Sequence, residues 1–313
     1  MSSPPSDFVV TKEHQRFAEF CEACRHYRYI GLCYGAPGVG KTLSARHYAN
    51  WDKVETYRLY TSAAAEAFAG VVGSTTVFYT PPVVNSPGRI EQEIGHRRTR
   101  LQALAVEKLY REQAIQQEVV RQKEGALLRQ YINDPAWMTD TPPPRPPPTV
   151  PTEFDIIKDY AARRDETSDP ISLVIIDETD RLKTAGLEQV RDIFDRGDLG
   201  MVLVGMPGLE KRLSRYPQLY SRVGFVHAFR PLSTPEVRQL LHQRWLPAGV
   251  ELPEEGWADE EALAAIIRIT GGNFRLLHRL LTQIARIVEI NALQKVTSQA
   301  VETARVSLVM GTA

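Results

Sequence analysis

Five short apolar runs recur along the first 230 residues and alternate with segments of helical periodicity. Residues 29–34, 172–176 and 199–205 are apolar almost throughout, which is typical of strands buried on both faces of a parallel sheet. Residues 75–80 and 223–229 are further runs rich in β-branched and aromatic side chains, and we predict that they are strands too. The pattern predicts an α/β fold built on a parallel sheet.

The segments between these runs place apolar residues three or four positions apart, so we expect helices beside the sheet. Such helices are predicted at residues 11–27, 42–51, 63–67, 185–196 and 209–215. Residues 53–74 are otherwise difficult to assign from their pattern.

Beyond Pro231 the pattern is helical throughout. Ser233 and Glu236 have the spacing of a capping box, which predicts the start of a helix. The helices expected in this part cover residues 233–245, 259–269, 273–290 and 297–310. We therefore predict two domains, an α/β domain over residues 1–230 and a small all-helical domain over residues 231–313.

A long insertion interrupts the α/β pattern. Residues 88–131 contain no proline and have helical periodicity, with a drifting stripe formed by Ile90, Ile94, Leu101, Ala105, Leu109, Ile115 and Val119. Residues 141–151 read TPPPRPPPTVP and predict an extended polyproline linker. A further helix is expected near residues 153–164. Together these features predict a helical, proline-rich insertion over about residues 85–160.

Residues 35–42 read GAPGVGKT and match G-x-x-x-x-G-K-[ST], the phosphate-binding loop of nucleoside triphosphatases. The glycines allow successive backbone N–H groups to converge on phosphate oxygens. Lys41 supplies a positive charge to the β- and γ-phosphates, and the Thr42 hydroxyl is placed to bind Mg²⁺. The predicted nucleotide-binding residues of this loop are Gly35, Ala36, Pro37, Gly38, Val39, Gly40, Lys41, Thr42 and Leu43.

An acidic pair follows the apolar run at 172–176. Asp177 comes directly after the predicted strand, at the end where ligands bind in open α/β sheets. There it is placed to hold Mg²⁺ together with Thr42, directly or through water. Glu178 is placed to orient or deprotonate an attacking water molecule. The pair therefore predicts the catalytic half of an ATP site.

Composition restricts the partners and the compartment. The chain has 38 Lys plus Arg and 38 Asp plus Glu, so no global positive field indicates nucleic acid. We find no signal peptide and no membrane-length apolar run, and we expect a cytoplasmic protein without a membrane partner. Cys21 and Cys24 share an apolar helical stripe with His14 and Phe17, so packing explains these cysteines better than a metal site does.

With both nucleotide motifs and the helical C-terminal part in place, the chain resembles an AAA+ ATPase. The resemblance implies a parallel-sheet P-loop core, a C-terminal helical lid and binding of ATP with Mg²⁺. It also implies an arginine finger just before the last strand, for which Arg222 is the candidate and Arg215 a competitor. Arg275, after Gly271 and Gly272, is the implied second arginine beside the nucleotide.

The chain departs from that family at one point. The strand at 199–205 is expected to be followed by a polar "sensor 1" residue, but residues 205–208 read GMPG. Either Glu178 alone orients the water, or hydrolysis is slow and the nucleotide acts as an assembly switch.

Within the family, residues 204–210 and 216–222 look most like the ATPase subunits of bacterial transposons, the MuB-, TnsC- and TniB-like proteins. That resemblance implies ATP-dependent homo-oligomers, rings or helical filaments, on double-stranded DNA. These assemblies mark a transposition target and recruit or stimulate a transposase, with a possible further target-selection protein. Arg97, Arg98 and Arg100 offer a basic helix segment that could follow DNA phosphates.

Two alternatives stay open at the level of sequence. A replication-type initiator or loader ATPase shares the fold. A recognisable appended winged-helix domain would favour this alternative, and the residues after the 273–290 helix are too few for one. A nucleotide-gated protein-interaction module without DNA affinity fits the balanced charge. A basic helix segment is also typical of an ordinary solvated surface.

Overall fold

The computed structural model describes residues 8–59, 65–132, 169–247, 249–253 and 258–308. Five strands form one sheet, and they are β1 (Ile30–Tyr34), β2 (Thr76–Tyr79), β3 (Leu173–Ile176), β4 (Gly200–Gly205) and β5 (Val223–Ala228). Each corresponds to one of the five predicted runs. The predicted parallel α/β fold is therefore confirmed.

Helices account for most of the remaining described residues. In chain order they are α1 (Lys12–Tyr27), α2 (Lys41–Tyr48), α3 (Trp51–Thr56), α4 (Ala65–Ala69), α5 (Pro87–Ile132), α6 (Thr184–Arg196), α7 (Leu209–Leu213), α8 (Pro217–Tyr220), α9 (Thr234–His242), α10 (Glu260–Thr270), α11 (Phe274–Ile290) and α12 (Ser298–Val306). A short 3₁₀ turn, Thr179–Arg181, follows β3.

The order of the strands brings three loops together. The sheet runs β2–β3–β4–β1–β5, and β4 pairs in parallel with both β1 and β3. Tyr34 at the end of β1 lies opposite Gly205 at the end of β4. Because parallel strands share one carboxyl edge, the loops after β1, β4 and β3 lie side by side there, which is where ligands bind in open α/β sheets.

The described chain divides into two compact units. One contains residues 1–49, 78–91 and 172–313, and the other contains residues 50–77 and 92–171. The second unit combines most of the predicted insertion with residues 50–77, which include the stretch 53–74 that is difficult to assign from its pattern. The proposed domain boundary after residue 230 is a separate question, and it stays a prediction.

The C-terminal helices α9–α12 have a hydrophobic core of their own. Helix α11 buries Leu277, Leu280, Leu281, Ile284 and Val288, the spacing of one helical face. The predicted capping box of α9 is present, since the Ser233 N–H donates to Glu236 Oε2 at 2.9 Å. The helical C-terminal region is therefore confirmed.

Some sequence predictions lie outside the described residues. They are the polyproline stretch at 141–151, the helix near 153–164, the first two residues of the 63–67 helix and the last residues of the 297–310 helix. Within the described ranges, no helix combines the length and apolar character needed to cross a bilayer.

Candidate nucleotide-binding site

The glycine loop lies between β1 and α2, as the motif requires. Gly38 and Gly40 have φ values of +82° and +107°, in the left-handed region that favours glycine. Gly35 has a different role, because a Cβ there would lie 2.3 Å from the Phe229 carbonyl oxygen. Val39, within the same loop, is buried. The loop conformation therefore requires glycine at all three positions.

Lys41 is held inside the loop that precedes it. Its Nζ donates to the carbonyl oxygens of Gly35 at 2.6 Å and Ala36 at 2.8 Å. Burial lowers the pKa of Lys41, and the neighbouring Asp177 and Asp180 carboxylates oppose that shift. These contacts fix the ammonium group over the loop, where it can meet a phosphate.

Thr42 and Asp177 meet although 135 positions separate them along the chain. The Thr42 hydroxyl donates to Asp177 Oδ2 at 2.7 Å, and the Glu178 N–H donates to Asp177 Oδ1 at 2.8 Å. Asp177 is only 2 % exposed. Burial raises the pKa of its carboxyl, and the two hydrogen bonds act in the opposite direction. The two oxygen-bearing side chains that were predicted to share Mg²⁺ are thus in contact.

Glu178 has a strained backbone and an arginine partner. Its φ is +47°, a conformation uncommon for residues other than glycine and typical of functional turns. The side chain is 45 % exposed and forms an ion pair with Arg181. Arg181 also donates from Nη1 to the Pro81 carbonyl oxygen at 2.8 Å. Glu178 therefore lies at the open side of the site, with its carboxylate held by a neighbouring guanidinium.

A cavity of about 470 Å³ joins these residues to the start of α11. Of the predicted residues, it is lined by Pro37, Gly38, Gly40, Lys41, Thr42, Leu43, Asp177, Glu178 and Arg275. It is also lined by residues that the sequence patterns did not identify, and these are Asp180, Gly205, Met206, Trp245, Phe274, His278 and Arg279. The sequence could have indicated Arg279, because it lies four positions after Arg275 and therefore on the same face of α11.

Helix α11 is attached directly to the glycine loop. The Asn273 side chain donates from Nδ2 to the Pro37 carbonyl oxygen at 2.8 Å. The Arg275 N–H donates to the Gly38 carbonyl oxygen at 3.1 Å. Asn273 also caps α11, because its Oδ1 accepts from the N–H groups of Arg275 and Leu276. These contacts place Arg275 beside the phosphate-binding loop.

Arg222 is engaged elsewhere. Its guanidinium makes a two-point contact with Asp195 on α6, with Nη2 2.7 Å from Oδ2, and also donates to the Gln218 carbonyl oxygen. Arg222 is not among the described residues that line the candidate nucleotide cavity. The competing Arg215 is exposed after α7. The proposed role of Arg222 in a neighbouring subunit is not tested by one chain and stays a prediction.

The basic segment of α5 is engaged within its own unit. Arg97 pairs with Glu93 at 2.8 Å, and Arg98 pairs with Asp169. Arg100 donates to carbonyl oxygens at the end of α3, including that of Val54 at 2.8 Å. These side chains therefore have structural partners, and their predicted contact with DNA stays a prediction.

The cysteines lie in the core. Cys21, Cys24 and Cys33 are free and buried. Burial raises the pKa of the Cys24 thiol to about 12, which keeps it protonated and unreactive near neutral pH. The stripe predicted on α1 is buried as a whole, because His14 and Phe17 are buried with these cysteines.

The arrangement suits Mg²⁺ and a nucleoside triphosphate. Mg²⁺ prefers oxygen ligands and few protein carboxylates, and the contacting Thr42 and Asp177 side chains offer that donor set. A bound Mg²⁺ would neutralise charge on the phosphates. Lys41 and the loop N–H groups would bind phosphate oxygens, Arg275 and Arg279 would add positive charge, and Glu178 would receive a proton.

In this parallel sheet the glycine loop follows β1, and Asp177 follows β3, which is separated from β1 by β4 alone. This arrangement defines a P-loop nucleoside triphosphatase. A model of the AAA domain matches residues 24–134 and 144–213, more than half of the chain. The chain therefore belongs to the AAA domain family. A relative from Staphylococcus aureus, described as a potential ATP-binding protein, is 41% identical over 308 residues, which cover 97% of each chain.

Solved structures share the fold at low identity. Cdc6p from Pyrobaculum aerophilum has a TM-score of 0.55 at 15% identity, and the match covers 99% of this chain and 71% of that one. The Aeropyrum pernix Orc1 protein, solved in complex with DNA, has a TM-score of 0.51 at 18% identity, covering 96% of this chain and 66% of that one. At these identities the likeness shows the fold alone.

Proposed function

We propose that the protein is a Mg²⁺-dependent ATPase. The observation that carries the proposal is the 2.7 Å hydrogen bond between Thr42 and Asp177, which brings together the two oxygen-bearing side chains that we propose as Mg²⁺ ligands. Lys41 binds the β- and γ-phosphates, and Glu178 orients and deprotonates the attacking water. The family membership and the potential ATP-binding relative support the same reaction.

The test compares two substitutions in the site with two matched controls outside it. Lys41→Ala should abolish ATP binding, and Lys183→Ala, which changes an exposed lysine before α6, should leave it intact. Glu178→Gln keeps shape and loses the base, so it should bind ATP but release phosphate slowly. Glu188→Gln on α6 serves as its control. ATP binding by Lys41→Ala at the level of the parent protein would refute the proposal.

We further propose that ATP binding drives homo-oligomerisation on double-stranded DNA, in a regulator that marks transposition targets and recruits a transposase. The segments at 204–210 and 216–222 support this role by their resemblance to transposon ATPases. The half-buried Arg222 does not line its own cavity, which is compatible with a finger that serves a neighbouring subunit. The alternative, a protein-interaction module without DNA affinity, is favoured by the internal partners of Arg97, Arg98 and Arg100.

One experiment separates these two roles. Electron micrographs of the parent protein with duplex DNA, with and without a non-hydrolysable ATP analogue, should show rings or filaments only with both ligands. Arg222→Ala should lose these assemblies while it still binds nucleotide. Nucleotide-dependent oligomers that form equally well without DNA, and DNA that stays bare, would favour the interaction module. Recruitment of the transposase would then be tested by adding the purified enzyme to the DNA-bound assemblies.

A further inference from the structure

The carboxyl end of β4 lacks a polar side chain at the centre of the site. β4 lies between β1, which leads into the glycine loop, and β3, which leads into Asp177. A side chain at Gly205 or Met206 would therefore face both halves of the cavity, and both residues line it. Neither side chain can hold or orient a water molecule through a conventional hydrogen bond. The strand that is best placed to contact the attacking water contributes nothing polar to it.

Asp180 occupies the space that β4 leaves open. Its Oδ2 accepts a hydrogen bond from the Met206 N–H at 2.7 Å. A Cβ added to Gly205 would lie 2.6 Å from the same Oδ2 atom. The carboxylate thus stands where the first atoms of a β4 side chain would otherwise be. Asp180 lines the same cavity as Lys41 and Asp177.

The turn that carries Asp180 is anchored on both sides. The buried Thr179 hydroxyl donates to the Ile176 carbonyl oxygen at 3.0 Å. Arg212 on α7 donates to the Asp180 carbonyl oxygen at 3.0 Å and to that of Leu182. The backbone on each side of Asp180 is therefore held by named contacts. Groups positioned in this way need little reorganisation when a substrate binds.

We propose that Asp180 supplies the second polar contact to the attacking water, in the place of a side chain from β4. This role rests on the proposed ATPase function. The water oxygen bonds to the γ-phosphorus, the bond to the β–γ bridging oxygen breaks with its electron pair leaving on ADP, and Glu178 takes the water proton. Asp180 accepts a hydrogen bond from the same water and receives no proton. Since two anions repel, Asp180 contacts the water and not the γ-phosphate.

The geometry allows the polar group to be moved from the turn back to the strand. Gly205 has no left-handed φ, so another residue fits its backbone once the Asp180 carboxylate is removed. Of the three atoms nearest to a new Cβ, two belong to the Asp180 carboxyl group and the third is the end of the Leu209 side chain, at 3.0 Å, which has to shift by a few tenths of an ångström. The informative set is Asp180→Ala, Gly205→Asn, the double variant of both, and Glu178→Gln.

Four quantities are measured for each protein: kcat, KM, affinity for a non-hydrolysable ATP analogue and the thermal midpoint. Asp180→Ala should lower kcat by roughly 10- to 100-fold, the range expected for the loss of one hydrogen bond to a charged group, with analogue affinity nearly unchanged. Gly205→Asn alone should also lose turnover, because the new side chain meets the Asp180 carboxylate. The double variant should recover part of kcat relative to Asp180→Ala.

The outcomes separate this role from the reaction itself. If Asp180→Ala keeps the parent kcat, the role of Asp180 is refuted. If it loses kcat only with a matching loss of analogue affinity and thermal midpoint, and the double variant does not recover, Asp180 is structural and the role is again refuted. If the parent releases phosphate no faster than Glu178→Gln does, the proposed ATPase function fails, and the role of Asp180 fails with it.

Discussion

Asn273 offers a sharp test of how the helical C-terminal part supports the glycine loop. Its Oδ1 caps α11, and its Nδ2 donates to the Pro37 carbonyl oxygen at 2.8 Å. The C=O and N–H of a trans peptide point in opposite directions. The bonds that α11 makes to the Pro37 and Gly38 carbonyls therefore fix the directions of the next two loop N–H groups, which phosphate-binding loops offer to their ligand.

The expected magnitudes follow from these two contacts. An N-cap asparagine stabilises a helix by about 1 kcal/mol relative to alanine, and one net hydrogen bond contributes about 1 kcal/mol. Asn273→Ala should thus lower the free energy of unfolding by about 2 kcal/mol, which for a chain of this length corresponds to about 3 °C in the thermal midpoint. Asn273→Ser keeps a capping oxygen but is too short to reach Pro37, so it should lose about 1 kcal/mol.

Stability and nucleotide affinity should respond differently to the two substitutions. Urea unfolding of the nucleotide-free protein measures the free energy of unfolding, and titration with an ATP analogue measures affinity. Both variants lose the Pro37 contact, so both should bind the analogue about fivefold more weakly. Asn273→Ser should nevertheless unfold at a higher urea concentration than Asn273→Ala. If affinity is unchanged in both variants, or if it falls only in the less stable one, the contact with Pro37 does not organise the loop.

Three further predictions test packing, pH and the basic segment. Gly272→Ala should destabilise the protein by more than about 3 kcal/mol, because its φ is +76° and a Cβ would lie 1.9 Å from the Leu232 carbonyl oxygen. The control is Gly271→Ala, where φ is +52° and a Cβ meets open space. This variant should lower the free energy of unfolding by about 1 kcal/mol in the same urea experiment. Burial and the neighbouring His47 lower the pKa of His14 from 6.5 to about 4. Between pH 6.5 and 4 the unfolded chain therefore binds a proton at His14 that the folded chain does not bind, so the free energy of unfolding falls as pH falls. His14→Phe should flatten that dependence between pH 6.5 and 4, and an unchanged slope would contradict it. Arg100→Met should lower the free energy of unfolding by about 1–3 kcal/mol, because it removes hydrogen bonds to carbonyl oxygens at the end of α3. If Arg100 instead contacts a DNA phosphate, the substitution should change the slope of log affinity against log salt concentration by roughly 0.9.

The central nucleotide site was predictable because its chemistry depends on residues that are adjacent in sequence. The glycine loop and the pair Asp177–Glu178 each follow an apolar run, so a strand pattern and a short motif locate both. Parallel pairing then requires that the two loops share one edge of the sheet. The packing stripe of α1 was predictable for a similar reason, since helical periodicity alone places Cys21 and Cys24 on its buried face.

Other parts of the site depend on contacts between distant segments, and no local pattern reports them. Asp180 is an ordinary acidic residue in a turn until β4 is seen to place Gly205 beside it. Asn273 has the signature of a helix cap, but its second bond requires the position of Pro37. The basic segment of α5 is the converse case. A charge run does not reveal that Arg100 satisfies the carbonyl oxygens of another helix.

The surroundings of Arg222 bear on how ATP could control the proposed assembly. In a single chain its guanidinium is held by Asp195, so a neighbouring nucleotide must compete with that carboxylate. Ion pairs near the surface contribute only about 0–1 kcal/mol, whereas a γ-phosphate brings more negative charge and several acceptor oxygens to a planar guanidinium. In the proposed assembly, this exchange would therefore favour the nucleotide when its γ-phosphate is present. After hydrolysis that acceptor would be gone and Asp195 would recover the guanidinium. The Arg222–Asp195 ion pair would thus oppose assembly only weakly and would favour disassembly once ATP is hydrolysed.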